Sequence, residues 1–271
     1  MVLVTTPHPA PAAQRLDLAM VERGLAPSRE RAQALIAAGL VELAGERAGS
    51  AAQRVAPGDP LRVLGRDHPW ASRAGVKLAA ALDAFGVDPA GRVALDAGAS
   101  TGGFTDVLLR RGATLVYAVD VGYGQLDGRL SRDPRVRVMD RTNLRVLRDL
   151  PGPPPSLVTL DLAFISLRLV LPRVARLATP GADVVALFKP QFEVGREAVG
   201  KGGIVRDAGV ADAAARSLLD WAAGELGAAA AGPIASPIAG TKGNRELLVH
   251  LRLPDAASGV APVDGAAGDS P

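Results

Sequence analysis

The 271-residue chain has no cysteine, which excludes disulfides, thiolate metal sites and cysteine nucleophiles. Its three histidines, His8, His68 and His250, are scattered without the spacing of a metal site, so no metal is expected. Long apolar runs are missing too: the stretch 157–171 is broken by Asp161 and Arg168 and falls short of a bilayer span. The N-terminus lacks the basic region and apolar core of a secretory signal. A cytoplasmic location without membrane association is the expectation. Lysine is scarce: 27 of the 31 basic residues are arginine, which leaves Lys77, Lys189, Lys201 and Lys242. Arginine keeps its proton near neutral pH, whereas a lysine beside another cation or out of water can lose it. Each of these lysines is therefore a weak pointer to proton-transfer chemistry.

What the chain does carry is alternation. From Arg73 onward the pattern predicts a helix over 74–85, strands near 92–96, 115–119, 135–139, 157–161 and 182–188, and a helix over 208–226. Such an order makes a mostly parallel sheet covered on both faces, an α/β fold. Strands at 231–238 and 246–253 would add an antiparallel edge. Residues 15–64 read as a separate small α+β unit, with helices over 16–23 and 28–38 stopped by Gly24 and Gly39, then strands around 40–43 and 61–64. The expected organisation is a tail at 1–14, this unit, a linker at 65–72 in which Trp70 packs, the α/β unit at 73–253, and a disordered tail at 254–271.

The strongest local signal is LDAGASTGGF, residues 95–104. An apolar strand runs into Gly98, Gly102 and Gly103, which permit a tight turn and close approach of a ligand, and helical spacing resumes over 104–111. The next strand ends in Asp120, about twenty residues on, where nucleotide-type folds offer a carboxylate to ribose hydroxyls. Dinucleotide binding requires GxGxxG so that a pyrophosphate can reach the backbone, yet Ser100 occupies the second glycine position. S-adenosylmethionine has no phosphate and is the preferred cofactor; a βα turn without any ligand shares the pattern. Asp96, Asp120, Asp140, Asp161 and Lys189 all fall at the carboxyl ends of strands, where the ligand crevice of a parallel sheet lies. Taken singly, Asp161 and Lys189 also suit an ordinary salt bridge at the sheet rim.

The segment RLDLAMVERGLAPSRERAQALIAAGLVELAG resembles the S4-type RNA-binding domain. That resemblance implies an RNA-facing surface, with Arg15, Arg23, Arg29 and Arg31 available to phosphates. The segment departs from the family's pattern at Ala44, where asparagine is usual, and at Gly49 and Ser50, where a lysine often stands.

The motifs SRAGVKL, LDAGASTGGFTDVLL, AVDVGYGQL, DRTN, LDLAFISL, FKPQFEVG, GKGGIVRD and GNRELLVHL extend the resemblance over nearly all of 15–253. They are similar to the TlyA family of ribosomal RNA 2'-O-methyltransferases, an S4-type domain joined to an FtsJ-like catalytic domain. The resemblance implies a Rossmann-like class I methyltransferase sheet that uses S-adenosylmethionine. It carries the family's Lys-Asp-Lys-Glu tetrad onto Lys77, Asp161, Lys189 and Glu246, with Lys189 as the base that takes the ribose proton. Asp96, Gly98, Ser100, Gly102, Gly103, Phe104, Asp120 and Asp140 are the implied cofactor residues, Tyr123 a candidate pocket wall, and 191–204, with Lys201, a candidate substrate flap. Ribosomal RNA within the ribosomal subunits is the implied partner; which subunit, and the oligomeric state, stay open. Three rivals remain: a non-catalytic RNA-binding protein, against which the complete tetrad stands; the membrane-lytic activity in the family's older label, hemolysin; and a small-molecule methyltransferase, which has no need of the first unit.

Overall fold

The computed structural model describes residues 13–26, 28–37, 39–64, 68–240 and 243–255. Most of both expected tails, three positions of the expected linker, His8, Ala38 and Lys242 lie outside the described residues. The chain divides into two compact units that meet between Pro69 and Trp70.

The first unit contains β1 (Gln14–Arg15), α1 (Leu16–Glu22), α2 (Arg29–Ala37), β2 (Val41–Leu43), β3 (Glu46–Arg47), β4 (Arg54–Val55) and β5 (Leu61–Val63). β1 pairs with β4, and β3, β2 and β5 form a second antiparallel sheet. The two helices close on a core that includes Leu16, Met20, Leu35, Ile36, Val41 and Val55. β2 and β3 are joined through Ala44 (φ 54°) and Gly45 (φ 89°). A two-residue hairpin turn of this hand needs positive φ at both positions, so Ala44 carries a conformation that glycine or asparagine adopts at lower cost.

The second unit contains α3 (Ala74–Phe85), β6 (Val93–Ala97), α4 (Gly103–Arg110), β7 (Leu115–Val119), β8 (Val136–Met139), β9 (Leu157–Leu160), α5 (Leu167–Leu177), β10 (Asp183–Phe188), α6 (Ala208–Leu226), β11 (Ala229–Ala235) and β12 (Leu247–Arg252). Its sheet order is β11-β12-β10-β9-β6-β7-β8. β10, β9, β6, β7 and β8 run parallel, and β12 and β11 add the antiparallel edge. Successive residues point to opposite faces: Ala94, Val116 and Val185 join the layer of α3 and α4, whereas Leu95, Tyr117 and Val184 join that of α5 and α6. The chain leaves β6 in one direction to β7 and returns to its other side at β9. The crevice at this switch in strand order is where doubly wound sheets bind ligands.

Two sequence expectations change. The pattern places a strand near 157–161 and no helix between it and 182, whereas the apolar run 157–171 continues from that strand into the start of α5. Its buried residues Leu167, Val170, Leu171, Val174 and Leu177 have helical spacing, but Pro172 stands inside it. The edge strand expected at 231–238 lies at Ala229–Ala235, and as the outermost strand it admits Pro233 at a register shift in its pairing with β12.

Candidate active site

The glycine loop turns out of β6 with the Gly98 and Ala99 N–H groups on the Val119 carbonyl. A side chain at Gly98 would run into the Asp161 carbonyl, so the loop passes directly against the end of β9. Ser100 adopts φ 45°, which costs a non-glycine residue on the order of 1 kcal/mol. Its N–H donates to Asp120 Oδ2 at 2.8 Å, while Asp120 Oδ1 accepts the Gly122 N–H at 2.7 Å. Asp120 thereby fixes the loop and still faces the cavity that the two enclose. That cavity measures about 560 Å³ and is walled by Gly98, Ser100, Asp120, the segments 142–144 and 161–165, and Lys189. A smaller recess of about 110 Å³, bounded by Ser72, Thr101, Gly103, Phe104 and Asp161, adjoins Gly98 and Ser100.

Several expected cofactor residues sit elsewhere. Asp96 has no exposed surface. Its Oδ2 accepts the Thr105 hydroxyl at 2.6 Å and its Oδ1 the Thr159 hydroxyl at 3.3 Å, so it joins β6, α4 and β9 from inside and reaches no cavity. Burial pushes its carboxyl up to about 7. Gly102 is covered by Leu126 and Leu130. Asp140 lines neither cavity; its carboxylate accepts the Gly124 N–H at 2.9 Å, and Thr142, Asn143 and Leu144 supply the wall. Tyr123 is 69% exposed and lies under the Arg141 guanidinium, 4.2 Å from ring to charge. Phe164 was not expected from the sequence. It lines the cavity, is 90% exposed and holds φ 63°, a strained backbone for an aromatic residue.

The four tetrad positions form two ion pairs. Lys189 Nζ lies 2.7 Å from Asp161 Oδ1, both at the cavity wall. Lys77 Nζ lies 2.5 Å from Glu246 Oε2, and this pair is buried and lines neither cavity. Gly240 packs directly on the Glu246 carboxylate. Pairing of Phe188 with Leu247 sets Lys189 beside Glu246 across the β10–β12 ladder, so the two pairs meet at one end of the sheet. Segment 191–204 begins within a short helical turn, Pro190–Phe192, and holds a second, Arg196–Ala198, and Asn244 ties down its base through Gly203 and Val205.

The four expected RNA-facing arginines have unequal surroundings. Arg15 and Arg29 both donate to Asp17, at 3.0 and 2.8 Å. Arg23 is held by the carbonyls of Ala56, Pro57 and Asp59, so it fastens that loop. Arg31 lies in α2, one turn from the Ser28 cap that accepts its backbone N–H.

A doubly wound sheet with a glycine loop, a strand-end aspartate and a lysine–aspartate pair on one cavity defines a methyltransferase architecture. The chain belongs to the FtsJ-like methyltransferase family, which matches residues 70–253, and it carries an S4 domain at residues 14–61. It is 49% identical over 242 residues to "16S/23S rRNA (cytidine-2'-O)-methyltransferase TlyA" of Mycobacterium tuberculosis, covering 88% of this chain and 89% of that one. It is 46% identical over 243 residues to "Putative rRNA methyltransferase YqxC" of Bacillus subtilis, covering 89% and 86%. A solved structure, "Putative hemolysin from Streptococcus thermophilus", superposes with a TM-score of 0.72 at 40% identity over 90% of each chain. Among the described residues no helix is long and apolar enough to cross a membrane, and no group of three or more His, Cys, Asp or Glu could hold a metal ion.

Proposed function

We propose that this protein transfers a methyl group from S-adenosylmethionine to the 2'-hydroxyl of cytidines in 16S and/or 23S ribosomal RNA, in the cytoplasm. One observation carries the reading: the Lys189–Asp161 pair stands in the wall of the cavity that Gly98, Ser100 and Asp120 enclose. The activity named for the tuberculosis relative supports the choice of substrate.

The residues present fit the cofactor. The cavity volume lies within the range of about 300–1,000 Å³ usual for small-molecule sites. Asp120 offers carboxylate oxygens to ribose hydroxyls, and Gly98, whose missing side chain lets the loop pass against the Asp161 carbonyl, holds the loop at the cavity wall. When bound, S-adenosylmethionine supplies a methyl group already activated by the sulfonium charge. The chain's own residues have to present the acceptor oxygen in line and remove its proton. Lys189 Nζ is the base that takes that proton as the oxygen–carbon bond forms. Asp161 orients the amine and stabilises the ammonium that results. Lys77 and Glu246 neutralise each other in a buried pair that binds α3 to the residue leading into β12, the strand beside Lys189. In the first unit, Arg15 and Arg29 meet RNA phosphates with the N–H groups that Asp17 leaves free.

The test is incubation of the purified protein with labelled S-adenosylmethionine and ribosomal subunits from an unmodified strain, with the label mapped by nuclease digestion and mass spectrometry. Label is expected on a cytidine ribose, and Lys189→Ala should lower the rate at least about 100-fold. Label on a base ring, or undiminished transfer by Lys189→Ala, overturns the mechanism.

A further inference from the structure

Beyond Leu160 and Ala186, the last residues paired between β9 and β10, the segments that carry Asp161 and Lys189 are anchored to different neighbours. Asp161 is registered to β6, through its N–H on the Ala97 carbonyl at 3.0 Å. Lys189 follows Phe188, which pairs with Leu247 of β12. The 2.7 Å contact between the two side chains therefore joins two chain ends held from opposite sides.

One side chain bridges them further on. Glu193 Oε2 accepts the Ser166 hydroxyl at 2.7 Å and Oε1 accepts the Leu167 N–H at 2.7 Å. Glu193 is coupled tightly back to Lys189, because the Phe192 N–H closes on the Lys189 carbonyl at 2.9 Å and the Glu193 N–H on the Pro190 carbonyl at 3.0 Å. Ser166 caps α5 by accepting the Arg168 N–H, so the segment 161–166 ends in a fixed helix start. Phe164 and Phe192 cross the same gap with ring centroids 5.1 Å apart. Burial raises the Glu193 carboxyl above the ordinary range against the pull of those two donors. A carboxylate kept here despite desolvation has to be matched to both donors at once.

We propose that Glu193 is a positioning residue for methyl transfer, tying the segment of Lys189 to the segment of Asp161 and so setting the geometry of their pair. This rests on the reading of Lys189 and Asp161 given above. Glu193 lines neither cavity, and it acts through the backbone that carries the base.

The experiment uses the full-length protein with ribosomal subunits and saturating S-adenosylmethionine, and records kcat, cofactor Kd and Tm together. Glu193→Ala should lower kcat about 10- to 100-fold, as expected when a reacting group drifts by about 1 Å, with cofactor Kd held within about twofold. Glu193→Gln should recover much of that loss, because its amide oxygen still accepts the Leu167 N–H and its NH₂ can donate to Ser166. Ser166→Ala should lower kcat in the same direction, and the double variant should fall short of the product of the two single effects. A lowered Tm with kcat unchanged in Glu193→Ala, or in Ser166→Ala should the former not fold, overturns the proposal, as does a fully multiplicative double variant. Lys189→Ala in the same assay separates the failures. Activity that survives Lys189→Ala sinks the reading of the site and this proposal with it, whereas activity lost there but retained in Glu193→Ala sinks the positioning role alone.

Discussion

Asp17 in the first unit and Asp96 in the second are both aspartates with no exposed surface, and their surroundings drive their acidities in opposite directions. Asp17 is met by Arg15 first, then by Gln33 and Arg29, and these donors outweigh burial and hold its carboxyl well below the usual range. Asp96 meets the hydroxyls of Thr105 and Thr159 and the Thr105 N–H, neutral donors all; burial outweighs them, the Asp161 carboxylate adds to it, and its carboxyl rises to about 7. Both depth and partners differ: Asp17 is covered by arginines whose side chains are themselves 36% and 53% exposed, whereas Asp96 lies deep inside the second unit. A carboxylate surrounded by guanidinium groups fixes their positions, whereas one surrounded by hydroxyls locks strands and a helix together behind a loop.

The largest expected effect tests the first half of this contrast. Asp17→Ala should destabilise the first unit by about 3 kcal/mol, since several hydrogen bonds to a charged group are lost together. Hydrogen exchange in α1 and α2 would show it, and a change below about 1 kcal/mol would mean that the arginines simply return to water. The second effect concerns pH. Asp96 has a folded-state pKa above its unfolded value, so its contribution to stability is full below about pH 4 and is lost as pH rises through about 7. Asp96→Asn should therefore match the parent near pH 4 and gain on it by up to about 1.4 kcal/mol per pH unit toward pH 7. Urea denaturation of both proteins across that range checks it, and parallel curves would contradict the shift. Asp17 has the reverse sign: its contribution is present above its unfolded value near 4 and is lost on acidification.

The smallest effect compares two strained backbones. Ala44 and Ser100 both hold positive φ, one in a hairpin and one at the cavity. Ala44→Gly should raise stability by up to about 1 kcal/mol and leave cofactor binding alone. Ser100→Gly relieves similar strain but removes a side chain from the cavity wall, so calorimetry should show weaker cofactor binding. Equal cofactor affinity in the two variants would reduce Ser100 to a turn residue.

The legible parts of the fold had local signals. α3 and α6 follow apolar periodicity and stop at Gly86 and Gly227, both left-handed, and β7 is a short apolar run ending at a cavity carboxylate. α5 was hidden because Pro172 breaks the helical pattern that its buried face otherwise keeps. Asp96 was read as a ligand contact because a strand-end position does not reveal which way its carboxylate points. Lys77 and Glu246 were named together only through family resemblance, since no spacing rule joins residues that far apart. Glu193 stands in the motif FKPQFEVG, but no role for it was legible there, because its partners Ser166 and Leu167 come together with it only when β9 and β10 lie side by side.

The Lys77–Glu246 pair spans 169 residues, from the first helix of the second unit to the last strand of its sheet. During synthesis at about 5–20 residues per second, Lys77 is made on the order of ten seconds before its counter-charge exists. β12 slots between β10 and β11, and it brings both the partner strand for Phe188 and the carboxylate for Lys77. The candidate site is thus finished by the final strand, so a chain interrupted before Glu246 holds Lys77 with no buried partner and a sheet open beside Lys189.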